Sequence, residues 1–189
     1  NVDLLIEGHR RLAPMNAVRF AQSIERLNPF WYEEPVPAEN LQALAEVRSA
    51  ISAPVVTGET LYTKRDFRPA LELRCADIIN PDVCNCGGIL ELREIAAMAE
   101  PNYVAVSPHN YNSTSVGLAA TAQAAFGMPN FLITEFFCNF SETSQEICQE
   151  PLALDGSYLT LPEKPGLGIS LDEQALLAHP YRKHPRRCF

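Results

Sequence analysis

The chain has 189 residues, 47% of them hydrophobic, which is enough for a sizeable core and little more than one domain in length. A formal charge of −8, with acids and bases mixed along most of the chain, argues against nucleic acid as the main partner, and no apolar run reaches the length of a membrane span. Nothing reads as a signal peptide, and the six cysteines (Cys75, Cys84, Cys86, Cys138, Cys148, Cys188) do not form a disulfide framework in a chain this long and apolar. Free thiols in a reducing cytoplasm are expected. Cys84 and Cys86 form a C-x-C, but no second pair or nearby histidine completes a zinc site.

In chain order, short apolar runs alternate with helix-length amphipathic stretches. Residues 2–6 are the first run. Residues 14–27 follow with apolar residues at helical spacing (Val18, Phe20, Ala21, Ile24, Leu27); Pro14 suits the first turn and Asn28-Pro29 ends the helix. Phe30, Trp31 and Tyr32 make the second run, and residues 41–51 a second helix with Asn40 as N-cap. Residues 54–57 are the third run, with 66–73 in the next helix. Residues 77–80 are the fourth, after which Gly87-Gly88 leads into a helix over 89–99. The fifth run, 103–106, precedes a helix over 115–126, and 131–134 is the sixth. Apolar strands alternating with helices predict parallel βαβ units, buried on both faces. The fold class is therefore α/β, a (β/α) TIM-type barrel with about six strands in this chain.

Each run ends in an ionisable or catalytic-type residue: Glu7, Glu33, Glu59, Asp82, His109 and Glu135, at intervals of 26, 26, 23, 27 and 26 residues. One strand, one helix and two loops take about that length, and in a (β/α) barrel the carboxyl ends of the strands meet at one mouth. A barrel closes with eight strands. The pattern stops after Phe140, where residues 152–161 and 166–171, with turn signals at Asp155-Gly156 and Pro165-Gly166, read as short strands or loops. Asn1 stands directly before a core strand. An amino-terminal part with two further strands and another domain is expected, and the open strand edges predict that this portion alone is inactive and poorly stable. The basic residues Arg182, Lys183, Arg186 and Arg187 read as a solvated end.

Three converging carboxylates (Glu7, Glu33, Glu59) repel one another unless a hard cation joins them; oxygen ligands alone, with no thiolate or imidazole, point to Mg²⁺. The competing account pairs each glutamate with a basic neighbour such as Arg10, Arg11 or Lys64. Asp82 ends the strand before that of His109, near enough to fix its tautomer and raise its basicity as a general base. His9 stands at the same mouth, placed to protonate a leaving group. Glu135, if protonated, is placed to hydrogen-bond a substrate carboxylate. Together these parts suit proton abstraction beside a carboxylate, a metal-stabilised enediolate and loss of a β-hydroxyl, giving a 2-keto acid.

The segments Asp3-Leu4-Leu5-Ile6-Glu7-Gly8-His9, Tyr32-Glu33-Glu34-Pro35, Thr57-Gly58-Glu59, Asn80-Pro81-Asp82 with Gly87-Gly88, Ser107-Pro108-His109 and Ile133-Thr134-Glu135 resemble the mandelate racemase branch of the enolase superfamily, especially sugar-acid dehydratases such as galactonate dehydratase. Pro165-Gly166-Leu167-Gly168-Ile169 resembles that family's closing segment. The order and spacing of these segments carry the resemblance, which covers residues 2–172. It implies a modified (β/α)7β barrel, with 1–140 as the carboxyl-terminal part of the catalytic barrel and 141–189 returning toward a capping domain. It also implies Mg²⁺ on Glu7, Glu33 and Glu59, a His109–Asp82 base, Glu135 on the substrate carboxylate and His9 as the leaving-group acid. Glu33 is preferred to Glu34 because the first of the pair is the family's usual ligand. The implied protein is a cytoplasmic lyase of sugar-acid catabolism and a homo-oligomer, acting on a small sugar acid with no nucleic-acid or membrane partner. Two departures stand out. Glu7 takes a place usually held by Asp, and the family's second-strand catalytic residues and capping domain are absent. A racemase or epimerase using the same enolate, a non-catalytic metal-binding or regulatory homologue, and a structural barrel subunit with surface acids remain alternatives.

Overall fold

The computed structural model describes residues 2–138, 141–150, 152, 154–161 and 163–183. Asn1, Phe140, Arg186, Arg187 and Cys188, named above, lie outside them. Five parallel strands stand side by side in sequence order: β1 (Leu5–Glu7), β2 (Trp31–Glu33), β3 (Val55–Thr57), β4 (Ile78–Ile79) and β5 (Ala105–Val106). Between them run α1 (Pro14–Ile24), α2 (Leu41–Ser49), α3 (Lys64–Glu72) and α4 (Ile89–Ala99), and α5 (Thr114–Ala125) follows β5. Sequential order, parallel pairing and an intervening helix each time make this part of a (β/α) barrel. The register runs without slip, with Glu7 opposite Glu33 and Thr57 opposite Ile79.

The sixth run differs from a full strand. Phe131 makes a single parallel bridge to Val106, and Leu132 N donates to Val106 O at 2.8 Å. Thr134 Oγ1 then donates to Pro108 O at 2.9 Å, so the segment still lies along β5 and carries Glu135 to the same end as the others. Its far side faces β1 across a cleft of about 360 Å³ lined by Leu5, Ile6, Trp31, Glu33, Ile133 and Glu135.

Helix starts follow local chemistry. Asn40 Oδ1 accepts from Ala43 N at 3.0 Å and begins α2, and Pro14 occupies the first turn of α1. Gly88, at φ 94°, makes the turn into α4 that a side chain would resist. The two faces of the sheet carry separate cores. Tyr32, Val55, Ile79 and Val106 meet Leu44, Val47, Phe67, Leu92 and Ile95 of the helices. On the inner face Trp31, Val56 and Ile78 pack together. Glu33 lies two residues from Trp31 on one strand, so it shares that inner face at its carboxyl end.

Beyond residue 140 the repeat ends, as the sequence predicts. A hairpin, β6 (Leu154–Asp155) with β7 (Tyr158–Leu159), turns at Gly156, and Cys148 bridges Leu171. Two helices there were not expected: α6 (Ser141–Glu146) and α7 (Glu173–Ala178), the latter capped by Asp172 Oδ1 on Ala175 N at 2.9 Å. Leu152, Leu159, Leu161, Leu167 and Ile169 pack with Leu118 and Ala119, so this segment leans on α5. Arg182 and Lys183 are exposed. Among the described residues Cys75, Cys84, Cys86, Cys138 and Cys148 are free thiols, and no helix is long and apolar enough to cross a membrane.

Candidate metal and acid–base site

All six residues singled out by their spacing come to one end of the sheet. Glu7 and Glu33 close β1 and β2, and Glu59 follows β3 by two residues. One carboxylate oxygen from each lies within 4.8 Å of the others, a spacing that one cation can bridge. Backbone closeness makes this possible. A Cβ on Gly8 would lie 2.9 Å from Glu34 O, and one on Gly58 2.9 Å from Phe67 Cε1, so both turns depend on the missing side chain.

The second half of the site is a hydrogen-bonded chain. Asp82 and His109 form a parallel bridge just past β4 and β5. His109 Nδ1 lies 2.7 Å from Asp82 Oδ2, while Cys84 N donates to Asp82 Oδ1 at 2.7 Å and holds that carboxylate in place. His109 Nε2 lies 3.0 Å from Glu59 Oε2 and 3.7 Å from Glu135 Oε2. Glu135 in turn accepts from Asn110 N at 2.8 Å. A cavity of about 470 Å³ joins the groups, lined by Glu7, His9, Glu59, His109, Tyr111 and Glu135 among others. His9, exposed and in the left-handed region at φ 48°, is among the residues lining that cavity. Tyr111 and Phe137 stack with ring centres 4.4 Å apart and form an aromatic side of the same space.

Charge is distributed unevenly. Burial, then the Glu7, Glu135 and Glu59 charges, push Glu33 up to about 8. Burial, with help from Glu59 and Glu34, pushes Glu7 up to about 7 against a hydrogen bond from the His9 N–H. For Glu59 burial works upward, but hydrogen bonds from His109 and Arg10 outweigh it and hold the group down at about 2. For His109 burial works downward, yet the bonds to Asp82 and Glu59 hold it up at about 10. Among the described residues neither Glu7 nor Glu33 has an ion-pair partner, and the nearby charges of Arg10 and His109 do not offset burial, which is the demand a divalent cation meets.

The basic-neighbour account holds in one place only among the described residues. Arg10, in the left-handed region at φ 61°, pairs with Glu59 and approaches Glu34 Oε2 at 3.9 Å. Lys64 pairs instead with Glu91 and Glu94. Glu34, fully buried, accepts from Thr57 Oγ1 at 2.7 Å and Gly58 N at 3.0 Å, tying the end of β2 to the turn after β3. Four neighbours of the site have no role in the sequence reading: Asn80, which enters it only within Asn80-Pro81-Asp82, and Asn110, Tyr111 and Phe137. Asn80 and Asn110 stand two residues before Asp82 and one after His109, so the only available signal was a polar residue beside each member of the dyad.

The sequence model of the enolase C-terminal domain-like family matches residues 1–175. A D-xylonate dehydratase of Haloferax volcanii is 34% identical over 94% of this chain and 43% of that protein. A D-mannonate dehydratase of a Sphingomonas species is 32% identical over 97% and 45%. A crystal structure of a mandelate racemase/muconate lactonizing enzyme-like protein from Rubrobacter xylanophilus superposes with a TM-score of 0.91 at 37% identity, covering 97% of this chain and 47% of that one. The chain spans less than half the length of these relatives.

Proposed function

The chain belongs to the enolase C-terminal domain-like family, and from that premise we propose that the protein it forms is a Mg²⁺-dependent hydro-lyase converting a sugar acid to a 2-keto-3-deoxy acid. The observation that carries this reading is the meeting of Glu7, Glu33 and Glu59 within 4.8 Å of one another, with Glu7 and Glu59 lining the same cavity as His109, whose Nδ1 is paired with Asp82. Glu7, Glu33 and Glu59 would hold the cation; the donor set fits, since it is all oxygen and, among the described residues, Glu7 and Glu33 accept hydrogen bonds but have no ion-pair partner. When bound, the ion supplies positive charge that lowers the cost of developing negative charge on the substrate carboxylate.

His109 takes the proton from the carbon beside that carboxylate, through Nε2, while Asp82 fixes the ring through Nδ1. Asp82 and Glu59 both contact the His109 ring, at 2.7 Å and 3.0 Å; a cation held by Glu59 would draw on that carboxylate and leave Asp82 to orient the imidazole as a base. His9 donates a proton to the departing β-hydroxyl, and Glu135, positioned by Asn110 N, meets the substrate carboxylate. Residues 1–140 would form the carboxyl-terminal part of the catalytic barrel, and 141–189 would return toward a capping domain. The same reading makes the protein a cytoplasmic homo-oligomer. Incubation with a panel of aldonates in D₂O tests it: 2-keto acid formation with Mg²⁺ is expected for at least one acid. Exchange of the α-proton without loss of water would instead make the protein a racemase or epimerase. Neither reaction with any acid would leave it a non-catalytic homologue.

A further inference from the structure

Asn80 directly follows β4 and is 3% exposed. Its backbone N–H donates to Thr57 O at 3.0 Å, which belongs to the sheet. Its side chain does something else: Nδ2 donates to Glu33 Oε1 at 2.6 Å, across two strands and well inside the mouth. The other end of the amide, Oδ1, is buried with no partner. An unpaired buried acceptor is a cost that an apolar residue of the same size would avoid, so packing alone does not account for an asparagine here. Nor has the amide room to leave. A Cβ built on Gly58 would lie 3.0 Å from Asn80 N and 3.1 Å from Oδ1, so the turn after β3 closes directly over it.

We infer that Asn80 is a positioning residue, fixing one oxygen of Glu33 so that its carboxylate is presented to a divalent cation shared with Glu7 and Glu59. The inference rests on the metal reading above and adds to it the residue that orients the most buried of the three carboxylates. A carboxylate at the end of a flexible side chain rotates about its last bond; a hydrogen bond at one oxygen sets the plane and places the other. Outer partners of this kind set metal affinity.

Titration calorimetry of Mg²⁺ into the wild type, Asn80→Ala and Asn80→Leu tests this, with melting curves in EDTA on the same samples. Leucine keeps the volume and removes the donor. Both variants are expected to weaken Mg²⁺ binding roughly 10- to 100-fold. Wild-type affinity in either variant overturns the inference, because leucine restoring affinity would mean that Asn80 only fills space. In the wild type, the Asn80 side-chain amide NMR signal should move on adding Mg²⁺, a readout that needs no variant to fold; an unmoved signal at saturation also overturns it. Wild type that takes up no Mg²⁺ would sink the metal reading itself, whereas binding wild type with unaffected variants would sink this inference alone.

Discussion

The two halves of the mouth stand in opposite electrostatic states. On the β1–β2 side, Glu7 and Glu33 are pushed up to about 7 and about 8, because burial and the charge of neighbouring carboxylates outweigh the opposing pulls of Arg10 on Glu7 and His109 on Glu33. On the side of β4 and β5, His109 is held up at about 10 by Asp82 and Glu59 in spite of burial, and with Arg10 it keeps Glu59 down at about 2. Glu59 therefore belongs to both halves. It is a carboxylate of the first by position and an ion-pair partner of the second by contact. The difference marks Glu7 and Glu33 as the place short of positive charge, and the contact between Glu59 and His109 as the point where the two halves touch.

The largest expected effect comes from removing the second half while keeping the first. His109→Asn is expected to lower turnover and α-proton exchange by about 10²- to 10⁴-fold, the range for loss of a general base. Mg²⁺ binding, followed by calorimetry, should persist; loss of both would mean that the halves are not separable. Glu33→Gln is the converse. It should abolish or strongly weaken Mg²⁺ binding while leaving the His109 imidazole signals of the metal-free protein in place by NMR.

A smaller effect sharpens the comparison through pH. Glu7 and Glu33 titrate above the ordinary carboxylate range, so their contribution to stability is complete below that range and is lost as pH rises through about 7 and about 8. His109 acts in the same direction, its contribution being present below the ordinary histidine range and lost as pH rises through about 10. Glu59 acts the other way, present above the ordinary carboxylate range and lost as pH falls through about 2. In EDTA the melting temperature should therefore fall between pH 5 and 8. Saturating Mg²⁺ should reduce that fall, and Mg²⁺ affinity should rise by about tenfold per pH unit for each proton displaced. A melting temperature that rises from pH 5 to 8 in EDTA would contradict the account of the first half.

The smallest effect concerns the backbone under both halves. Gly58→Ala puts a Cβ 2.9 Å from Phe67 Cε1 at φ 143°. It should cost about 1–3 kcal/mol in denaturant unfolding, the range for backbone held in a disfavoured region. A neutral effect would mean that the turn after β3 is freer to move than its contacts indicate.

What the sequence made legible follows the same division. Strands buried on both faces and helices with one apolar face leave strong periodic signals, and the near-constant interval between Glu7, Glu33, Glu59, Asp82, His109 and Glu135 pointed to one mouth before any geometry was known. Helix α4 spans the predicted 89–99, and α3 runs from Lys64, capped by Thr63, to Glu72, holding all of the expected 66–73 except Leu73, its C-cap. The sixth strand is reduced to one bridge, Phe131 with Val106. Helices α6 and α7 went unseen because six residues are too few to show a helical period; α6, Ser-Glu-Thr-Ser-Gln-Glu, also has no apolar residue. Contacts such as Asn80 with Glu33 and Arg10 with Glu59 depend on which loop crosses which strand end, and a single sequence holds no record of that crossing.

The central claim is that Glu7, Glu33 and Glu59 share one ion. Crystals of the protein soaked in Mn²⁺, a stand-in for Mg²⁺ with a measurable anomalous signal, test it most directly. The account predicts one anomalous peak within bonding distance of an oxygen from each of the three. A peak elsewhere, or none at an occupancy-saturating concentration with the three side chains ordered, would contradict it.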